Sequence, residues 1–273
     1  MATGQLNVSA IDRGEIAEQA ALIRQAYERG QPISPIREAL PQANIEDAYA
    51  IQAANTAIWE AQGRTVVGAK IGLTAKAVQA QLGVDQPDFG QLFADMAVND
   101  GDTVAPGRLL QPKVEAEIAF VMARSPDAKR LTSAELISSV AYVLPAIEIV
   151  DSRVADWNIG IVDTVADNAS SGLFVLGTKP VAIADVDLGL CGMVLEKNGE
   201  PVSFGAGAAC LGHPLHALGW LAAKMAEIGR PLQQGDVVLS GALGPMAAVV
   251  PGDNVEARIN GLGTVRVAFG RKA

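Results

Sequence analysis

The chain has 273 residues, 49% of them apolar and 19% charged, which is the composition of a folded globular protein with a sizeable core. Its net charge of −9 and the lack of a basic cluster make a poor match for nucleic acid, and 4% aromatic residues leave few platforms for stacking bases. No stretch reaches the ~18 uncharged apolar residues of a membrane span. The segment MATGQLNVSAIDRGEIAEQA lacks the basic-then-apolar order of a secretory signal, and Cys191 and Cys210 are too few for a disulfide scaffold. A soluble cytoplasmic protein is the expectation.

In chain order, IAEQAALIRQAYERG has apolar residues at helical spacing and closes at Gly30. The proline-bearing QPISPIREALPQ reads as a connection. NIEDAYAIQAANTAIWEAQG predicts a second long helix, capped by Asn44, with Glu46 and Asp47 in its first turn, where negative charge suits the helix dipole. TVVGAKIGLT predicts a strand, AKAVQAQLG a short helix closed by Gly83, and DQPDFGQLF a turn-rich loop.

From about Asn99 the chain reads as strand and turn. The strand segments are PKVEAEIAFVM, VAYVLPAIEIVD, SSGLFVLG, DLGLCGMVLEKNGE, GDVVLSGAL and NVEARINGLGTVRVAF, and Asn198-Gly199 marks a tight hairpin. One helix interrupts them, HPLHALGWLAAKMAEIG, with Pro214 at its first position and Gly229 and Pro231 at its stop. The organisation is a mainly helical part, residues 1–98, carrying the Lys70 strand, and a β-rich part, residues 99–273, or the two as one integrated domain.

QPKVEAEIAFVM puts Glu115 and Glu117 two apart in an apolar strand, where both project from one face together with Lys113. Glu148, between Ile147 and Ile149, is a third acidic residue in an apolar strand. Spacing alone admits two readings. One is a solvated strand face with Lys113 as ion-pair partner. The other is a site for a hard divalent cation, which takes oxygen ligands and relieves the repulsion between like charges. Lys70, between glycines and apolar residues, is either a strand-end lysine reaching solvent or a desolvated proton-transfer group with a lowered pKa. Asp88, in DQPDFG, reads as a turn former. Cys210, His213 and His216 form C-x-x-H-x-x-H, but no fourth zinc ligand follows, and His213 is explained as a cap before Pro214.

QPKVEAEIAFV, VLPAIEIVDSR, VDTVADNASSG, CLGHPLHALGWLAAKM, LSGALGPM, VVGAKIGLT and LGVDQPDFGQLFADM together resemble the 2-keto-4-pentenoate hydratases of the fumarylacetoacetate-hydrolase-like superfamily, from about Ala48 to Phe269. The resemblance implies an α+β fold, a mixed β-roll with N-terminal helices packed alongside. It implies Mg²⁺ or Mn²⁺ held by Glu115, Glu117 and Glu148, and catalysis by Lys70 with Asp88 at the active-site mouth. Asp167, Asn168, Ser170 and Ser171 would contact substrate or metal waters, and Ser240 and Gly241 would lie near the substrate, with Ser240 replacing a frequent threonine.

The implied reaction is hydration of 2-hydroxypenta-2,4-dienoate to 4-hydroxy-2-oxopentanoate in aromatic meta-cleavage. The sister 4-oxalocrotonate decarboxylase and a non-catalytic subunit of a hydratase–decarboxylase complex are the alternatives. Hydrolysis is disfavoured, because the N-terminal region offers no histidine for a His–Glu dyad. Homo-oligomers, pentamers or decamers, and association with a pathway decarboxylase or aldolase are also implied.

Overall fold

The computed structural model describes residues 10–271, without the side chains of Ala77, Gln81 and Leu82, so the expectation of no secretory leader falls partly outside the described residues. The helices form where local chemistry closes their ends. Helix α1 (Arg13–Arg29) starts in a capping box, with the Asp12 side chain accepting from Gly14 and Glu15 N–H, and stops at left-handed Gly30. A single turn, α2 (Ile36–Ala39), lies within the expected connection. Helix α3 (Ile45–Ala61) has its own box, Asn44 with Asp47, as the sequence indicates.

Then come β1 (Val66–Gly72), α4 (Lys76–Leu82) closed by Gly83, and β2 (Asp88–Phe93). The expected loop over DQPDFGQLF is therefore two-thirds strand: all of β2 is buried and pairs antiparallel with β1, Lys70 opposite Gly90 and Gly72 opposite Asp88. Two short strands follow, β3 (Ala97–Val98) and β4 (Thr103–Val104), and then β5 (Lys113–Met122), α5 (Ser133–Ser139) and β6 (Val140–Val150). After these lie α6 (Ile161–Ala166), β7 (Ser171–Leu176), β8 (Gly192–Lys197) and β9 (Glu200–Ala206), the last two joined at Asn198-Gly199. Helix α7 (Pro214–Glu227), β10 (Val237–Leu239), β11 (Ala247–Ala248), β12 (Asn254–Ile259) and β13 (Gly263–Phe269) complete the chain. The helix expected after Asn99 is thus joined by two short ones, α5 and α6. Thr132 caps α5, and α6 is held by burial of nearly its whole length rather than by an amphipathic stripe.

Among the described residues, eight strands form the larger sheet, in the order β2-β1-β10-β5-β6-β7-β3, with β11 beside the start of β5. A second sheet runs β4-β13-β12-β8-β9. Strands from before residue 99 and after it share the larger sheet. The main core lies between the sheets and under α7, around Ile118, Phe120, Ile147, Val238 and Leu221. A smaller cluster, including Ile23, Ile36, Ile51 and Val165, sits among α1, α2, α3 and α6. This is the α+β architecture expected.

Among the described residues no further strand lies on the outer edge of β2, and side chains close it. Asn168 Oδ1 accepts from Gln91 N–H at 2.7 Å and its Nδ2 donates to the Gln91 carbonyl at 2.9 Å. Gln52 Nε2 donates to the carbonyls of Phe89 and Val165, both at 2.9 Å. Asn168 sits in a run of three left-handed residues, Asn168, Ala169 and Ser170 (φ 54°, 51° and 53°), and asparagine tolerates that region better than most residues.

Because Asn168 satisfies two buried backbone groups, Asn168→Ala should cost about 1–3 kcal/mol, the penalty of orphaned polar groups. Asn168→Asp should cost at least as much, since a second acceptor would then face the Gln91 carbonyl. Urea melts of the two variants check this, and wild-type midpoints in both would contradict it.

Candidate active site

Glu115 and Glu148 face each other directly across the β5–β6 ladder, and Glu117 follows one step along the same face. Ligand oxygens of the three lie within 4.8 Å of one another. Glu117 and Glu148 are almost fully buried and Glu115 is half-buried, which removes the solvated-face reading. Among the described residues Lys113 makes no close ion pair with the glutamates, although its charge acts on Glu115; its Nζ lies 4.1 Å from the centre of the Trp157 ring.

Lys70 reaches the cluster from β1, its Nζ 3.3 Å from Glu148 Oε1. Asp88 stands on the same face of β2, opposite Gly72. A Cβ on Gly72 would collide with the Asp88 carboxylate and lie 3.4 Å from Lys70 Nζ, so the close approach of these two groups depends on that glycine. Ser240 and Gly241 follow β10. The Gly241 N–H donates to Glu117 Oε2 at 2.8 Å. Ser240 Oγ accepts from Ile118 N–H and donates to the Gly241 carbonyl, so its hydroxyl braces the turn. Gly241 has φ 96°, and a Cβ there would fall 2.5 Å from the Thr74 side chain, so glycine is required twice over.

The remaining expected residues are engaged elsewhere. Asp167 is clamped to Arg153, accepting from its Nε at 2.6 Å and its backbone N–H at 2.9 Å, while Arg153 Nη2 donates to the Asp167 carbonyl. Asn168 holds β2, and Ser170 Oγ shares a hydrogen bond with Thr164 Oγ1. Ser171 differs: its buried hydroxyl has no hydrogen-bond partner among the described residues and lies where a Cβ on Gly90 would point, on the Lys70–Asp88 face. The Cys210 thiol donates to the Ser240 carbonyl and is pushed up to about 12 by burial and by Glu117. His213 Nδ1 caps α7 by accepting from Leu215 N–H.

Fully buried Arg153 is the residue that sequence reasoning missed. It lies between Asp167 and Asp151 with its guanidinium 4.3 Å from the Tyr27 ring centre. Its only signal was a place in VDSR, because its partners come from distant segments.

The electrostatics are those of too many carboxylates for one ammonium. Burial and Glu148 push Glu115 up to about 7, and burial pushes Asp88 up to about 6 against the pull of Lys70. Glu117 is raised well above the ordinary range by burial, Glu148 and Glu115. Burial pulls Lys70 down, as the sequence suggested, but Glu148, Asp88, Glu115 and Glu117 outweigh it and the net direction is up, so the expected lowered pKa is reversed. Buried Glu117 Oε1 and Glu148 Oε2 accept no hydrogen bond among the described residues. Three converging carboxylates with unused oxygens fit a hard divalent cation, which takes oxygen donors and supplies the missing positive charge.

The profile of the fumarylacetoacetate (FAA) hydrolase C-terminal family matches residues 63–269. The chain belongs to that family, in its 2-keto-4-pentenoate hydratase branch. It is an enzyme, a hydro-lyase. Relatives include 2-keto-4-pentenoate hydratase 1 of Dechloromonas aromatica, 58% identical over 250 residues, which are 92% of this chain and 95% of the relative. The 2-keto-4-pentenoate hydratase of Paraburkholderia xenovorans is 56% identical, over 92% of this chain and 94% of its own. The solved 4-oxalocrotonate decarboxylase from Pseudomonas putida G7, complexed with magnesium and adipate, superposes with a TM-score of 0.91 at 36% identity, covering 96% of this chain and 100% of that one.

The raised carboxyls set a pH dependence for the metal-free protein. A raised folded-state pKa favours the neutral acid, so this stability is fully present below the ordinary carboxyl range and lost as pH rises through about 6 to 7. Chelator-treated protein should therefore melt lower at about pH 8 than at about pH 5, and Mg²⁺ should raise the melting temperature more at the higher pH. Thermal melts at both values check it, and a Mg²⁺ shift independent of pH would contradict it.

Proposed function

We propose that this enzyme adds water to 2-hydroxypenta-2,4-dienoate, giving 4-hydroxy-2-oxopentanoate, in the meta-cleavage degradation of aromatic compounds. The observation that carries the proposal is the convergence of Glu115, Glu117 and Glu148 with Lys70 and Asp88 on one sheet face, in a chain 58% identical to a 2-keto-4-pentenoate hydratase. The three glutamates would hold Mg²⁺ or Mn²⁺. When bound, the cation supplies Lewis acidity at the C2 oxygen of a 2-hydroxy or 2-keto acid.

The chain's own groups handle the protons. Lys70, kept as the ammonium by its carboxylate neighbours, donates a proton to C5 of the dienol and regains one from the enol O–H, giving the conjugated 2-oxo-3-enoate. Asp88, as the carboxylate, accepts a proton from the water whose oxygen bonds to C4, and returns it to C3, which restores the Asp88 carboxylate and completes the hydration. Burial pushes Asp88 up to about 6, which suits a group that takes up and returns a proton near neutrality. The Ser171 hydroxyl, without a hydrogen-bond partner among the described residues, would hold a substrate oxygen on this face. Asp167, Asn168 and Ser170 act behind it, fixing β2 and the turn before β7, and Ser240 and Gly241 fix the orientation of Glu117.

Decarboxylation is the second reading, favoured by the TM-score of 0.91 to 4-oxalocrotonate decarboxylase. Greater identity to the hydratases, 58% against 36%, weighs for hydration. We also propose that the chain forms homo-oligomers and associates with the decarboxylase or aldolase of its pathway; Leu190, Phe204 and Val250, 78%, 65% and 60% exposed, are apolar surface that assembly would cover. Among the described residues no helix is long and apolar enough to cross a membrane.

Lys70→Ala should lower turnover by ~10²–10⁴-fold with metal content unchanged, while Glu115→Ala loses metal and activity together. Steady-state rates combined with metal analysis separate the two, and near-normal turnover of Lys70→Ala would remove Lys70 from the chemistry. Given both substrates, the enzyme should consume the dienol of 2-hydroxypenta-2,4-dienoate with little CO₂ release from a six-carbon 2-oxo dicarboxylate. Preferred decarboxylation would assign it to the sister activity.

A further inference from the structure

A cavity of about 460 Å³ opens at the start of β5, lined by Pro106, Leu109, Lys113, Trp157, Val249 and Phe269 among others. Its walls are mostly apolar, and Lys113 is the lysine in them. Lys113 pairs with no carboxylate among the ion pairs of the described residues; its ammonium rests on the Trp157 ring instead.

The platform under that ammonium is built with care. Asp156 and Trp157 are consecutive left-handed residues (φ 58° and 53°), a conformation that side-chain-bearing residues avoid and that persists only where the surroundings over-determine it. Gln111 provides the over-determination. Its Nε2 donates to the carbonyls of Ser152 and Val154, its Oε1 accepts from Asp156 N–H, and its own carbonyl accepts from the Trp157 indole N–H. With the indole N–H thus used, the Trp157 ring face is left for Lys113. Lys113 and Glu115 share one face of β5, about 7 Å apart along the strand, so the cavity adjoins the glutamate cluster without including it.

We propose that this cavity is an anion station, in which Lys113 holds the carboxylate of a short unsaturated acid whose carbon chain lies on Trp157, Leu109 and Val249. An apolar pocket with one cation matches such an acid and rejects neutral analogues. The identity of the acid, substrate arriving or product leaving, rests on the hydratase proposal; the binding itself does not.

The test is a titration of chelator-treated, metal-free protein with but-2-enoate, which has no C2 oxygen to chelate a metal, followed by tryptophan fluorescence. The wild type and Glu117→Gln should show the same saturable change, and Trp157→Phe should lose it. Lys113→Met should bind ~10-fold more weakly, as expected for one lost charge-assisted contact, whereas Lys113→Arg should retain binding. But-2-enamide should not bind. No saturable change in wild type, equal binding by Lys113→Met, or equal binding of the amide would each overturn the proposal. In turnover, a raised KM in Lys113→Met with kcat unchanged identifies arriving substrate, and weakened product inhibition alone identifies departing product. Since the titration needs neither metal nor catalysis, its failure is distinct from failure of the hydratase assignment.

Discussion

Three carboxylates forced together in a buried place are the constraint on which the rest of the site depends. Glu115, Glu117 and Glu148 approach within 4.8 Å, Asp88 stands nearby, and Lys70 is the ammonium that answers them. Such a cluster is unfavourable on its own, since burial and like-charge repulsion both oppose ionisation. It persists because the backbone leaves no alternative. Glu115 and Glu148 are locked opposite each other by a ten-residue ladder, and Glu117 is tied to the Gly241 N–H in a turn that only glycine can make. The strain is released by protons or by a divalent cation, which is why protonation, metal binding and stability are linked here.

Around that centre the chain fixes its least supported strand with side chains. Strand β2 carries Asp88 but, among the described residues, has a partner strand on one side only. Carboxamides of Gln52 and Asn168 take over the missing ladder, and Asn168 is in turn placed by a left-handed turn anchored through the Arg153–Asp167 pair. Buried ion pairs are costly to assemble and costlier to break in half, so Arg153 and Asp167 work as a unit. Residues several positions from the chemistry thereby determine where Asp88 stands.

Much of this was legible in the sequence, and the reasons differ by element. The caps at Asn44 and Gly30, the Asn198-Gly199 hairpin and the Pro214 helix start are local devices, and each forms where its own residues indicate. The glutamate triad was legible as a pattern, because acidic residues at period two in an apolar strand have few explanations. Strand β2 was not: Pro87 and Gly90 are turn signals, and the strand exists through tertiary partners at residues 52 and 168. The raised pKa of Lys70 was hidden for the same reason, since burial is local and readable but the four opposing carboxylates come from three other strands. Asp167 and Asn168 were identified as polar groups of importance, whereas their hydrogen bonds, to Arg153 and Gln91, needed the fold.

The central claim is that the three glutamates form one divalent-cation site. Electron paramagnetic resonance of Mn²⁺ titrated into chelator-treated protein tests it most directly, by counting the bound ions. The account predicts one Mn²⁺ per chain in the wild type and loss of that tight site in Glu148→Gln, with Lys113→Met unaffected. Undiminished Mn²⁺ binding by Glu148→Gln would contradict it.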